Sequence, residues 1–420
     1  MILPLHAALA FAMSAAADAN APAPPTTLSS LSAKEAAEMV VSVTPRVEEH
    51  RGLKFKKPVP VQVVDDAAAR EHFKARMKKH WPESQVRMEQ TAYIQLGLLP
   101  GGTDLTGTLF SVLEEQVGGY YDPESDTFFV LGDMPRSIAP ILMVHELTHA
   151  LDDQYYDIDK LIERTERSND ASAAVGAVVE GSGTLVMTRY ILTEMQAGRM
   201  SPDILQELAG SDAGRAEKLM ASPAVLQRSL VASYVLGQTF MLRGDLMRVT
   251  QATPVADLDR AFTEVPVSTE QILHPEKYWD AAAKDLPRTV KATDASKILG
   301  DGWSLLGDGQ LGELTLAVIT GADAVNFKSA DAAFPAKWTN AAASGWGGDA
   351  WQLYGQGDHR ATVLTTLWDT PKDAEEFEAV LTAHPAGVSR TVKRAGDVVV
   401  VVAGDAGDKA GAVADAALAR

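Results

Sequence analysis

From Ala171 to Thr188 the chain reads ASAAVGAVVEGSGTLVMT, eighteen residues with one charge, Glu180. Read as part of a helix over Asp170–Thr193, with Asp170 as its N-cap, the stretch has no polar face to turn toward water, so it belongs inside a helical core. A lone carboxylate in the middle of such a helix is costly unless a positive partner meets it. A dication supplies one partner, and a buried Arg or Lys supplies another. Gly176, Gly181 and Gly183 weaken the helix in isolation. With Ser182, they let it approach the preceding helix closely.

That preceding helix is Ser137–Gln154, with Pro140 tolerated in its first turn. It contains MVHELTHALDDQ, Met143 to Gln154. Residues four apart share a helix face, so His145 and His149 can reach one zinc ion at about 2.0–2.1 Å. Glu146 is displaced around the helix. It suits a general base beside a metal-bound water rather than a third ligand. The helix is otherwise largely apolar, and a metal satisfies polar groups buried there. The third ligand is a carboxylate: Glu180, or one of Asp152, Asp153, Asp157 and Asp159. The Asp cluster otherwise reads as a solvated helix end. A metzincin-type site needs Gly three and His six residues after the second His, where this chain has Asp152 and Tyr155. The chain has no cysteine, so thiol nucleophiles, disulfides and cysteine-ligated metals are excluded.

Upstream, a helix capped near Ser32, a strand at Pro58–Val64, a charged helix over DDAAAREHFKARMKKHW and a helix over TDLTGTLFSVLEEQ are expected. VGGYYDPESDTFFVLGD reads as a hairpin. Ser222–Val249 and Leu258–Phe262 read as further helix. Beyond about Thr293 the texture becomes Gly- and Ala-rich, with strands at AWQLYGQ and RATVLTTLWD and a helix capped by Thr370. A hairpin over VSRTVKRAGDVVVVVAGD and a last helix complete a small α+β unit, with a ferredoxin-like arrangement as one expectation. The fold class is therefore α+β: a mainly helical domain with a small N-terminal sheet and edge hairpin, then a small α+β accessory domain.

The net charge of -18 excludes a basic nucleic-acid face and an anionic membrane surface, and it fits a soluble protein. Ile2 to Met13 is apolar, and small residues follow with Ala-x-Ala steps near Ala17 and Ala19. This reads as a signal peptide over 1–19 without the usual basic start, and hence as an exported, periplasmic or extracellular protein. A linker over 20–31, a main domain over 32–292 and an accessory domain over 293–420 follow. No later segment reads as a membrane span, and the oligomeric state is not legible.

A His-Glu-x-x-His helix followed by a second helix bearing a Glu resembles the gluzincins, the thermolysin-like zinc metallopeptidases. The resemblance rests on His145, Glu146, His149 and Glu180, and more loosely on about Arg51 to Trp279. HELTHALDDQ, VVEGSG and STEQILHPEKYW look like a poorly characterised bacterial secreted group of that superfamily. The resemblance implies a zincin-like domain and one zinc per chain held by His145, His149 and Glu180. It implies hydrolysis of a peptide or protein substrate with Glu146 as general base. It also implies an edge strand near Val117–Tyr121 that holds extended peptide, and an oxyanion donor, for which Tyr234 and His274 are the candidates. The Asp expected four residues after the ligand Glu is Thr184 here, so Asp153 or Asp157 would take its supporting role. Two other readings stay open: a zinc-binding protein that cuts nothing, and a zinc amidohydrolase acting on a non-peptide substrate.

Overall fold

Ser32 opens the first helix as a capping box: its hydroxyl accepts from the Glu35 N–H, and the Glu35 carboxylate accepts from the Ser32 N–H. This is read from a computed structural model, which describes residues 30–116, 118–165, 168–213, 217–321, 330–383 and 388–419. The expected signal peptide, and the linker up to residue 29, lie outside these residues. The capped helix runs Ala33–Arg51 and ends at Gly52, whose φ of 80° closes it in the left-handed region. Strand β1 is Val61–Val64, and the charged helix Asp66–His80 follows. Helices Glu83–Leu96 and Leu105–Gln116 lead to β2 (Gly119–Asp122) and β3 (Thr127–Leu131).

The three strands pair in the order β1-β3-β2, with β1 parallel and β2 antiparallel to β3. Strand β2 is therefore an edge, as expected for this hairpin. The motif helix spans Ala139–Tyr156 and the Glu180 helix Asn169–Gln196. Asp170 is not the cap of the latter. The Ser168 hydroxyl accepts from the Ala171 N–H, and Asp170 sits in the first turn with its carboxylate held by Thr269. The expected Ser222–Val249 helix is shorter, Ala224–Met241, because Arg243 and Gly244 turn the chain at φ 56° and 81°. Helices Val255–Thr263, Thr269–Leu273 and Glu276–Trp279 complete this part.

The α+β class holds through the C-terminal part. Strands β4 (Ser304–Gly309), β5 (Trp346–Gln356), β6 (His359–Trp368), β7 (Arg390–Ala395) and β8 (Val398–Gly404) form one sheet in the order β4-β5-β6-β8-β7. Helix Gly312–Ile319 lies between β4 and β5, and Pro371–Ala383 between β6 and β7. The second connection is a split crossover with β8 between its two strands. The first joins antiparallel neighbours, so the topology is not ferredoxin-like. One core includes Val86, Ala92 and Leu96 from helix Glu83–Leu96 together with Trp346, Trp351 and Trp368 from the sheet. An early helix thus covers a face of the late sheet, and hydrophobic burial links the two parts.

Candidate metal centre

The motif helix is buried from Ile141 through Asp152. Its apolar residues Ile141, Val144, Leu147 and Leu151 share a core with Val43 and Val47 of the first helix, Phe128 and Val130 of β3, and Val186 and Met187 of the Glu180 helix. A polar seam lies where the motif helix meets the Glu180 helix. There His145 Nε2 stands 3.1 Å from Glu180 Oε2, His149 Nε2 stands 3.5 Å from the same oxygen, and the two Nε2 atoms are 2.9 Å apart. All three residues are buried.

His145, His149 and Glu180 each offer one ligand atom, all within 4.8 Å of one another, so together they could hold a metal ion. Tetrahedral ligands at ~2.1 Å from an ion stand about 3.4 Å apart, close to the separations observed. Glu180 Oε1 and His149 Nδ1 are buried without a hydrogen-bond partner among the described residues. Glu180 meets histidines rather than Arg or Lys, which removes the buried ion-pair alternative among these residues. The residues therefore fit a metal. Burial raises Glu180, but hydrogen bonds from His145 and His149 pull it down to about 2. Burial lowers His149, yet Glu180 and Glu146 push it up to about 9. Burial and the neighbouring His149 lower His145. Gly183 makes the approach possible: a Cβ there would lie 2.8 Å from His145 Cε1. Gly181 serves a different neighbour, because its Cβ would meet the Gly237 backbone at 2.4 Å.

Of the carboxylates expected to support a histidine, Asp153 accepts from Tyr121 and Asp157 from the Lys160 N–H. Asp152 is fully buried and accepts from Arg51 Nε and Ser182 Oγ, each at 2.6 Å. Its charge raises the His149 proton affinity, and Ser182 ties it to the Glu180 helix. The Asp cluster is thus not simply a solvated helix end. Asp153 accepts from the Tyr121 hydroxyl at 2.8 Å, Asp159 pairs with Arg76, and Asp157 caps the short helix Ile158–Glu163 at its exposed start. On the edge strand, the Tyr121 N–H donates to Glu146 Oε2 at 2.8 Å, so the open edge of β2 faces the motif helix. Residue 117 lies outside the described residues.

A cavity of about 30 Å³ lies at this seam and is lined by Glu146, His149, Glu180, His72, Arg76 and Tyr121 among others. It has room for an ion or a water or two. His72 was expected at the surface, but it stacks on Tyr120 at 4.7 Å between ring centroids, and its Nε2 is buried without a hydrogen-bond partner among the described residues. Tyr234 is buried, with its ring stacked on His145 at 5.9 Å, and does not line the cavity. His274 lies elsewhere, bonded to Glu313 at 3.1 Å. His50 and His80 are half-buried rather than surface residues, His359 is exposed, and His6 and His384 lie outside the described residues. A second carboxylate trio, Glu270, Asp285 and Asp369, is already met by Lys277 at 2.6, 2.9 and 3.2 Å. The Glu180 helix is long and apolar enough to cross a membrane, but 78% of its most apolar window is buried in the protein.

Comparison with known proteins adds little. Residues 304–416 match a domain of unknown function, DUF8575. No curated protein matches the chain. A solved structure from Chloroflexus aurantiacus, described as "a putative hydrolase with a novel fold", is similar at 18% identity with a TM-score of 0.37. That likeness covers 68% of this chain and 100% of the other.

Proposed function

We propose that the protein is a zinc-dependent metallopeptidase. The observation that carries this reading is the convergence of His145 Nε2, His149 Nε2 and Glu180 Oε2 within 3.5 Å beside a cavity that Glu146 also lines. Two imidazoles and one carboxylate suit zinc with an open position. When bound, the ion supplies Lewis acidity, which acidifies a water and polarises a carbonyl. Glu146 takes the proton of the attacking water at its carboxylate. As the new C–O bond forms and the C–N bond breaks, Glu146 passes that proton to the leaving nitrogen. The Tyr121 N–H holds one carboxylate oxygen, which orients the other. Burial lowers the His72 pKa, so its ring is neutral near pH 7 and carries one N–H. Its place in the cavity favours it over Tyr234 and His274 as the donor to the developing oxyanion.

Metal analysis and peptide hydrolysis on wild type, Glu146→Gln and Glu180→Ala test this reading. Wild type and Glu146→Gln should carry about one zinc per chain, with hydrolysis lowered roughly 10²–10⁴-fold or more in the latter. Glu180→Ala should lose metal affinity. Unchanged hydrolysis by Glu146→Gln would sink the mechanism. Undiminished zinc affinity in Glu180→Ala would remove the third ligand.

A further inference from the structure

A second cavity, about 270 Å³, shares Glu180 and Ile162 as walls with the small one. Most of its wall is apolar, with Leu105, Leu109, Val225 and Leu226 among the lining side chains. Among the described residues its lining holds two carboxylates, Glu89 and Glu180, and no Lys or Arg. Glu180 belongs to the metal centre. Glu89 does not.

Glu89 is 3% exposed. Trp81 Nε1 and Gln85 Nε2 donate to its carboxylate at 3.1 and 3.0 Å. These neutral donors fix its orientation without supplying a charge. Burial raises its pKa, and the hydrogen bonds only partly oppose that. A buried acid facing an apolar space is costly until a cation reaches it.

We propose that this cavity is the substrate side-chain pocket beside the scissile bond and that Glu89 selects a cationic side chain, Lys or Arg. The proposal rests on the metallopeptidase reading for what happens after binding. A Lys or Arg side chain lays its methylene stem on the apolar wall and brings its charged head to Glu89. An acidic side chain meets two carboxylates and is rejected. The net charge of -18 also draws basic peptides toward the protein.

The test uses peptides that differ only in Lys, Met or Glu at one position, with wild type, Glu89→Gln and Ser229→Trp. Ser229 is an exposed residue that also lines the cavity, so tryptophan there obstructs the space without disturbing the core. Hydrolysis is read as kcat/KM. Peptide binding is read by calorimetry on Glu146→Gln protein, as purified, with and without the second change. Wild type should favour the Lys peptide, and either variant should lower the Lys-to-Met ratio at least tenfold. The same loss should appear in binding. Hydrolysis without a basic preference, or a preference that survives both variants, overturns the pocket and leaves the metallopeptidase reading standing. Binding of the Lys peptide that depends on Glu89, with no hydrolysis, upholds the pocket and overturns the reaction. Absence of both overturns both.

Discussion

Single atoms set this centre. His145 and His149 were legible from their four-residue spacing, because helix geometry alone puts them on one face. Glu180 was legible as the one charge in an apolar run. Asp152 was not, since adjacent residues on a helix point about 100° apart. Nothing in "DD" says which aspartate turns inward to Arg51 and which outward to Tyr121. His72 was hidden by its charged surroundings in the sequence, and only the packing of its helix against β2 turns it into the cavity. Gly183 offers the sharpest test at this scale. Gly183→Ala places a methyl 2.8 Å from His145 Cε1, so the ring must shift. Metal affinity, measured by chelator competition, should fall roughly 10–100-fold, the range seen when groups that orient a ligand are disturbed. Unchanged affinity would show that the ring adapts freely.

At the scale of elements, the Glu180 helix serves two partners through different glycines. Gly183 faces the motif helix. Gly181 and Gly237 let the helix Ala224–Met241 cross at backbone contact, where a Cβ at Gly237 would sit 2.2 Å from Ala177 O. Gly176 has open space where its Cβ would be. Alanine at these positions should therefore act with opposite signs. Gly237→Ala forces the helices apart and should cost about 1–3 kcal/mol. Gly176→Ala relieves the backbone entropy of a mid-helix glycine and should stabilise by roughly 0.5–1 kcal/mol. Urea titrations of both variants check this, and equal signs would contradict the assigned crossing. The glycines announced close packing in the sequence, but not which helix each one admits.

On the scale of the whole molecule, buried acids join the helical part to the C-terminal sheet. Asp170 accepts from the Thr269 N–H, and a Cβ on Gly312 would collide with its carboxylate. Burial, with weaker repulsion from Asp349 and Glu313, raises Asp170 to about 7. Burial raises Asp349 to about 6 and Glu270 to about 8. A carboxyl whose pKa rises on folding binds more protons folded than unfolded, so stability falls as pH rises. The contribution of Asp170 is fully present below its unfolded value of 3.8 and is lost as pH passes about 7. Unfolding free energy should therefore decline between pH ~4 and ~7. Asp170→Asn should flatten that decline in denaturant titrations across this range, and an identical slope would refute the assignment. The sequence signalled a change of texture near Thr293. It could not show that helix Glu83–Leu96 covers the later sheet, because that contact joins residues more than 200 apart in the chain.

Sequence alone determined whatever one helix turn or one local pattern can encode: the histidine pair, the apolar run with its single carboxylate, the helix cap near Ser32, the hairpins and the α+β class. The tertiary structure decided what depends on which faces meet. It brought Glu180 onto the histidines, turned Asp152 rather than its neighbours inward, put His72 beside Glu146 and enclosed Glu89 in an apolar cavity. Local pattern sets a side chain's direction along its own element, while its partner comes from packing between elements distant in the chain.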